Sequence, residues 1–182
     1  MRIIAGKAKG FILKVPKRRA TRPATELVRG AIFSILDSLT CNRELVLDLF
    51  SGSGSLGIEA LSRGASWVDF VEHERRSCAI IKGNLEKTGF IAQAHVYCCK
   101  VRSALNFLDR EYDIILMDPP YTDLTIGNFL EKLASSELVG DETTLVTTHS
   151  SRLSLAPAYA QLKLIKENRH GDSSISVYRK EV

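Results

Sequence analysis

The sequence predicts an α/β fold built on a mostly parallel sheet, and three observations carry that prediction. Short apolar runs alternate with helical stretches from about residue 45 to residue 149, the pattern of parallel strands joined by crossover helices. A glycine-rich turn separates the first strand-like run from the helix after it. Towards the end, the alternation gives way to two strand-like segments around a turn, which calls for a closing antiparallel hairpin.

Taken in order, Arg2 to Gly6 and Gly10 to Val15 read as a small basic hairpin. Arg22-Pro23-Ala24-Thr25 then leads into a helix ending near Asp37, with Thr25 as N-cap and Leu27, Ile32, Phe33, Ile35 and Leu36 as its apolar positions. Strands are expected at Leu45 to Phe50, Trp67 to Glu72, Ala94 to Cys98, Tyr112 to Met117 and Thr143 to His149. Helices are expected at Leu56 to Arg63, Arg75 to Thr88, near Ser103 to Leu108, and from Ile126 to Ser135. Leu162 to Glu167 and Ser174 to Tyr178 flank the turn-rich Asn168 to Asp172 and complete a seven-stranded sheet. Residues 1–40 should form a basic N-terminal extension, and residues 41–182 the main domain.

The chain has 182 residues and a net charge of +4 that is unevenly spread. Residues 1–30 hold nine Lys and Arg against the single acid Glu26, a net of +8, so the remainder is mildly acidic. A basic block on an acidic body suits a polyanion, because phosphate contacts and counterion release supply most nonspecific affinity. No run approaches the roughly 18 to 20 apolar residues of a membrane span, and the opening lacks the pattern of a secretory signal. A soluble, cytoplasmic, monomeric protein is expected. Cys41, Cys78, Cys98 and Cys99 form no CxxC pair, and His73, His95, His149 and His170 are scattered, so no metal site is expected. The cysteines read as buried thiols.

The turn after the first strand, Asp48-Leu49-Phe50-Ser51-Gly52-Ser53-Gly54-Ser55-Leu56-Gly57, contains G-x-G-x-x-G between a strand and a helix. That context lets backbone approach a nucleoside cofactor closely. Glu72, twenty residues beyond Gly52, closes the second strand, where its carboxylate can accept hydrogen bonds from ribose hydroxyls. Asp48 would repel a pyrophosphate but suits the ammonium of a methionine tail. Asp48, Phe50, Ser51, Gly52, Gly54, Glu72 and His73 are the candidate cofactor-binding residues, with S-adenosylmethionine the cofactor they favour.

Ile114 to Met117 runs into Asp118-Pro119-Pro120-Tyr121. Prolines cannot continue a central strand, so the strand ends near Asp118, at the carboxyl edge where open α/β sheets hold their ligands. Each proline holds the preceding residue extended and leaves carbonyls without amide hydrogens. Asp118 and the Pro119 carbonyl could accept both hydrogens of a base amino group, and Tyr121 could stack on the base. Asp118, Pro119, Pro120 and Tyr121 are therefore the candidate catalytic residues.

The loop, Glu72 and the tetrad, in this order, resemble the class I methyltransferases that act on amino groups of bases. More closely, the chain resembles the bacterial 16S ribosomal RNA guanine-N2 methyltransferases. The likeness runs through Met1 to Gly6, Arg22-Pro23-Ala24-Thr25 with Val28-Arg29 and Phe33, Gly57 to Ala65, Asn84-Leu85 and Gly171-Asp172-Ser173. The resemblance implies a Rossmann-like methyltransferase fold, and 16S ribosomal RNA or the small-subunit ribonucleoprotein as partner. Lys17, Arg18, Arg19, Arg22, Thr25 and Arg29 would then meet the RNA. A DNA adenine-N6 methyltransferase would need the same tetrad, and a binding protein that had lost its cofactor could keep the fold. Two positions depart from the family. Lys100 stands where an Asp or Asn addresses the adenine, and Thr148 stands where the fifth strand commonly has an acid. Neither is expected to touch the tetrad.

Overall fold

The computed structural model of the protein describes residues 1–16, 25–39, 41–123 and 125–180. Helix α1 (Glu26–Ser38) begins where Thr25 caps it, the Thr25 hydroxyl accepting the Val28 N–H at 3.2 Å. Its buried face is Val28, Arg29, Ile32, Phe33, Ile35 and Leu36. Leu27, expected on that face, is instead 71% exposed.

Eight strands form one sheet in the order β3-β2-β1-β4-β5-β8-β7-β6. The parallel part comprises β1 (Leu45–Leu49), β2 (Trp67–Glu72), β3 (Ala94–Cys98), β4 (Ile114–Met117) and β5 (Thr144–Ser150). The antiparallel part comprises β6 (Ala158–Tyr159), β7 (Leu162–His170) and β8 (Ser173–Lys180), with β8 pairing antiparallel to β5. The strand beyond the expected seven is β6, a two-residue edge strand following Pro157, too short to leave an alternation in the sequence.

Alternate residues of each parallel strand serve opposite faces, as the pleat requires. Val46, Val68, Phe70, Ile114, Leu116 and Val146 join one core with α1, α2 (Ser55–Ser62) and α3 (Arg75–Thr88). Leu47, Leu49, Val71, Ile115, Met117 and Leu145 join the other. That second core includes Phe129, Leu130 and Leu133 of α5 (Ile126–Ala134). The short α4 is Val101–Ala104, starting closer to β3 than expected.

The N-terminal hairpin is present as the antiparallel bridge Arg2–Ile12, with Ile3 N–H donating to Phe11 O and Gly10 N–H to Ile3 O, each at 3.0 Å. It is fastened to α2 by the buried carboxylate of Glu59, which accepts Ile4 N–H at 2.8 Å and Ala5 N–H at 3.0 Å. Ile3, Ala8 and Leu13 belong to the same core as Ile32, Ile58 and Phe70, so these residues pack as part of the sheet's helical layer. Of the cysteines read as buried, Cys78 is buried, Cys41 and Cys99 are half-buried, and Cys98, the last residue of β3, is exposed.

Connections leave β1 towards β2 and β3 on one side, while β4 and β5 lie on the other. The carboxyl ends of β1 and β4 are paired at Leu49 and Met117, which places the loop from Phe50 beside Asp118. This reversal of strand order is where open α/β sheets form a ligand crevice.

Candidate active site

The candidate cofactor-binding residues lie on the loop between β1 and α2 and at the end of β2. Ser51 sews the end of β1 to β2: its hydroxyl donates to Asp48 O at 2.6 Å and accepts Val71 N–H at 3.1 Å. Gly52 N–H donates to Glu72 Oε2 at 2.9 Å, and Glu74 N–H donates to Oε1 at 2.8 Å. The Glu72 carboxylate is thus fixed at the end of β2, and accepting two backbone N–H groups leaves it capacity for more. Gly54 takes the left-handed conformation as the N-cap of α2, with φ +76°. Phe50 is also left-handed, at φ 58°; in a bulky residue this is strain that the surrounding packing must hold. Its ring meets Phe129 edge-on, with centroids 5.8 Å apart. Gly57 answers a different need, because a Cβ there would sit 2.3 Å from the Phe70 ring.

Asp48 is 1% exposed, and its Oδ2 accepts Gly57 N–H at 2.9 Å. At least one of its oxygens therefore braces the first turn of α2, and Asp48 is not among the residues lining the cleft described next.

A cleft of about 250 Å³ opens at the carboxyl ends of the strands. Phe50, Val71, Glu72 and His73 line one side, Lys100, Val101 and Arg102 a second, Pro119, Pro120 and Asp123 a third, and Ile126 and Phe129 of α5 the last. An apolar slot with a carboxylate at its rim fits an adenosine group, the base between apolar side chains and the ribose at Glu72. His73 is exposed, its Nδ1 3.1 Å from Glu72 Oε1. The sequence alone does not point to Val71, Val101, Arg102, Asp123, Ile126 or Phe129 as cleft residues. The i, i+3 pair Ile126 and Phe129 was visible as an apolar helix stripe, but nothing local said that the stripe reaches a ligand cleft. Arg102 Nη2 donates to Thr125 Oγ1 at 3.0 Å, and Thr125 Oγ1 donates to Asp123 Oδ1 at 2.6 Å, so this chain ties α4 to the loop that follows the tetrad.

The tetrad follows β4 directly. Pro119 and Pro120 face the cleft, while Asp118 is tied to β5 and Tyr121 to the antiparallel β8. The Thr148 hydroxyl of β5 donates to Asp118 Oδ1. The Tyr121 hydroxyl donates to Ser173 Oγ of β8 at 2.9 Å. Burial raises the Tyr121 phenol above its ordinary range and the Asp118 charge adds to this, while hydrogen bonds to Ser173 and Thr148 oppose it, so the phenol stays protonated at neutral pH. The expectation that Thr148 stands apart from the tetrad is corrected. Thr148 touches Asp118 because β5 lies beside β4 with Thr147 opposite Met117, and Lys100 lines the same cleft as Pro119 and Pro120.

Of the residues expected to meet RNA, Lys17, Arg18, Arg19 and Arg22 lie outside the described residues. Thr25 is exposed at the start of α1. Arg29 is corrected: it is 0% exposed, its Nη2 donates to Arg2 O at 2.6 Å, and burial lowers its pKa against the opposing charges of Glu59 and Glu26. Its guanidinium is enclosed beneath the hairpin and does not reach a phosphate from outside.

The family described as Conserved hypothetical protein 95 matches residues 1–179. The chain is 30% identical over 183 residues to the Bacillus subtilis putative rRNA methyltransferase YlbH, covering 99% of both chains. It is 29% identical to the Escherichia coli ribosomal RNA small subunit methyltransferase D, covering 100% of this chain and 90% of that one. Among solved structures, the putative methyltransferase yhhF from Escherichia coli superposes with a TM-score of 0.87 at 28% identity, covering 100% of this chain and 98% of that one. Among the described residues, no helix is long and apolar enough to cross a membrane.

Proposed function

Since the chain belongs to the Conserved hypothetical protein 95 family and has the fold of a class I methyltransferase, with S-adenosylmethionine as cofactor, we propose that it methylates the exocyclic N2 of a guanine in 16S ribosomal RNA. The observation that carries the reading is one shared cleft. Pro119 and Pro120 wall the same space that Glu72 bounds, so an amine held at the tetrad meets whatever the Glu72 side binds.

The cofactor supplies a methyl group on a sulfonium sulfur; the amine nitrogen takes it and gives up a proton to water. Glu72 would hold the ribose, with Phe50, Val71, Ile126 and Phe129 enclosing the adenine. Gly52 and Gly54 let the loop backbone approach, and Asp48 and Ser51 act through the shape they give that loop. Asp118 accepts one hydrogen of the target amine and the Pro119 carbonyl the other, which aims the nitrogen lone pair into the cleft. The Thr148 hydroxyl fixes the Asp118 rotamer, and a carboxylate can accept the amine as well. Tyr121, its hydroxyl committed to Ser173, offers its ring to the base. No strong base is required, because the nitrogen sheds its proton as positive charge develops on it. Catalysis is positioning and oriented hydrogen bonding, and the guanine must leave its stack to be reached.

Labelled S-adenosylmethionine incubated with unmethylated 16S ribosomal RNA and, separately, with DNA, followed by digestion to nucleosides, tests this reading. The expected product is N2-methylguanosine from RNA alone. Label in an N6-methyladenine nucleoside would overturn the guanine assignment.

A further inference from the structure

The outer face of α3 carries a groove that the methyl-transfer chemistry does not use. Residues 76, 79, 80, 83, 84 and 87 recur at helical spacing and form its floor and rim, with Lys14 of the hairpin segment closing one side around about 490 Å³. Its charged lining is Lys14, Arg76 and Lys87, and among the described residues no carboxylate lines it. At Gly83 an added Cβ would meet nothing within 4 Å, so the floor is open there.

The hairpin segment that carries Lys14 is fixed to α3. Asn84, 2% exposed, clamps the Lys14 backbone at both ends: its Oδ1 accepts Lys14 N–H at 2.8 Å and its Nδ2 donates to Lys14 O at 2.9 Å. Lys87 Nζ donates to Ile12 O at 2.6 Å. Two segments about 70 residues apart are thereby locked into one positive surface. Arg76 and Lys87 stand eleven residues apart along the helix, about 16 Å at 1.5 Å per residue. That is too long for a single phosphate and suits a run of them. Lys14 is followed in sequence by Lys17, Arg18, Arg19 and Arg22, so the charge is continuous along the chain.

We propose that the groove of Lys14, Arg76 and Lys87 on α3 seats the phosphodiester backbone of the RNA substrate, an interaction surface additional to the N-terminal basic run. The proposal rests on the ribosomal RNA reading.

Lys14→Gln with Arg76→Gln is the test. Both remove charge without touching the Asn84 clamp, which uses only the Lys14 backbone, and thermal melting checks the fold. Binding of unmodified 16S ribosomal RNA is measured across a salt series, beside a variant neutralised at Lys17, Arg18 and Arg19. The double variant should bind RNA more weakly, with a salt slope lower by about 2, about one for each lost phosphate contact, and with cofactor affinity unchanged. A wild-type slope and affinity in the double variant, while the Lys17, Arg18 and Arg19 variant is impaired, would overturn the groove and leave the RNA reading standing. Failure of the wild-type chain to bind this RNA would overturn both.

Discussion

The two halves of the cleft are braced in opposite ways. On the cofactor side, the supports are close in sequence: Ser51, Gly52, Gly57 and Glu72 are bonded to one another or to Asp48 and Val71, all within one strand-loop-helix-strand unit. On the substrate side, the supports are distant. Asp118 is held by Thr148, thirty residues on, and Tyr121 by Ser173, fifty-two residues on. The hydrogen bonds that shape the glycine loop at Ser51, Gly52 and Gly57 are therefore local to the motif. The aim of the tetrad depends on β5 and β8 being in register, so catalysis and cofactor binding should respond separately to mutation.

The largest effect expected is at Asp118. Asp118→Ala should lower single-turnover methylation by about 10² to 10³, as for the loss of other oriented active-site hydrogen-bond partners, while cofactor affinity in calorimetry stays near wild type. Near-normal rates in a folded Asp118→Ala protein would reduce the tetrad to a strand-ending turn. Glu72→Ala should do the reverse, weakening S-adenosylmethionine binding by about 10- to 100-fold, the range for hydrogen bonds to a charged group. With saturating cofactor most of its rate should return; if it does not, the two halves are not separable. The smallest effect discriminates most finely. Thr148→Val keeps the shape but removes the hydroxyl, so kcat should fall by about tenfold, the scale of one buried hydrogen bond, with cofactor affinity unchanged. An equal loss in cofactor affinity would mean that the hydroxyl supports the sheet and not the aim of Asp118.

The same contrast explains what was legible beforehand. The glycine loop could be read because each residue's task is set by neighbours in the chain: a left-handed turn at Gly54, a close approach at Gly57, a carboxylate at the end of the next strand. The end of β4 could be read because Pro119 and Pro120 forbid its continuation. Thr148 and Ser173 could not, since only the β4-β5-β8 pairing brings them to Asp118 and Tyr121. Charge class misled at α1. Charge alone points the Arg29 guanidinium outward and apolarity points Leu27 inward, yet Arg29 shares the buried helical stripe with Ile32, Phe33 and Leu36 while Leu27 lies outside it. The edge strand β6 left no period because it has only two residues.

One side chain crosses the boundary between these regions. Besides clamping Lys14, the Asn84 amide donates to Ser53 O at 3.0 Å, within the glycine loop itself. The glycine loop and the segment that leads in sequence into the basic run thus share a single carboxamide as a common anchor. Any coupling this strut carries between its two ends must be equal in both directions, whichever end is engaged first.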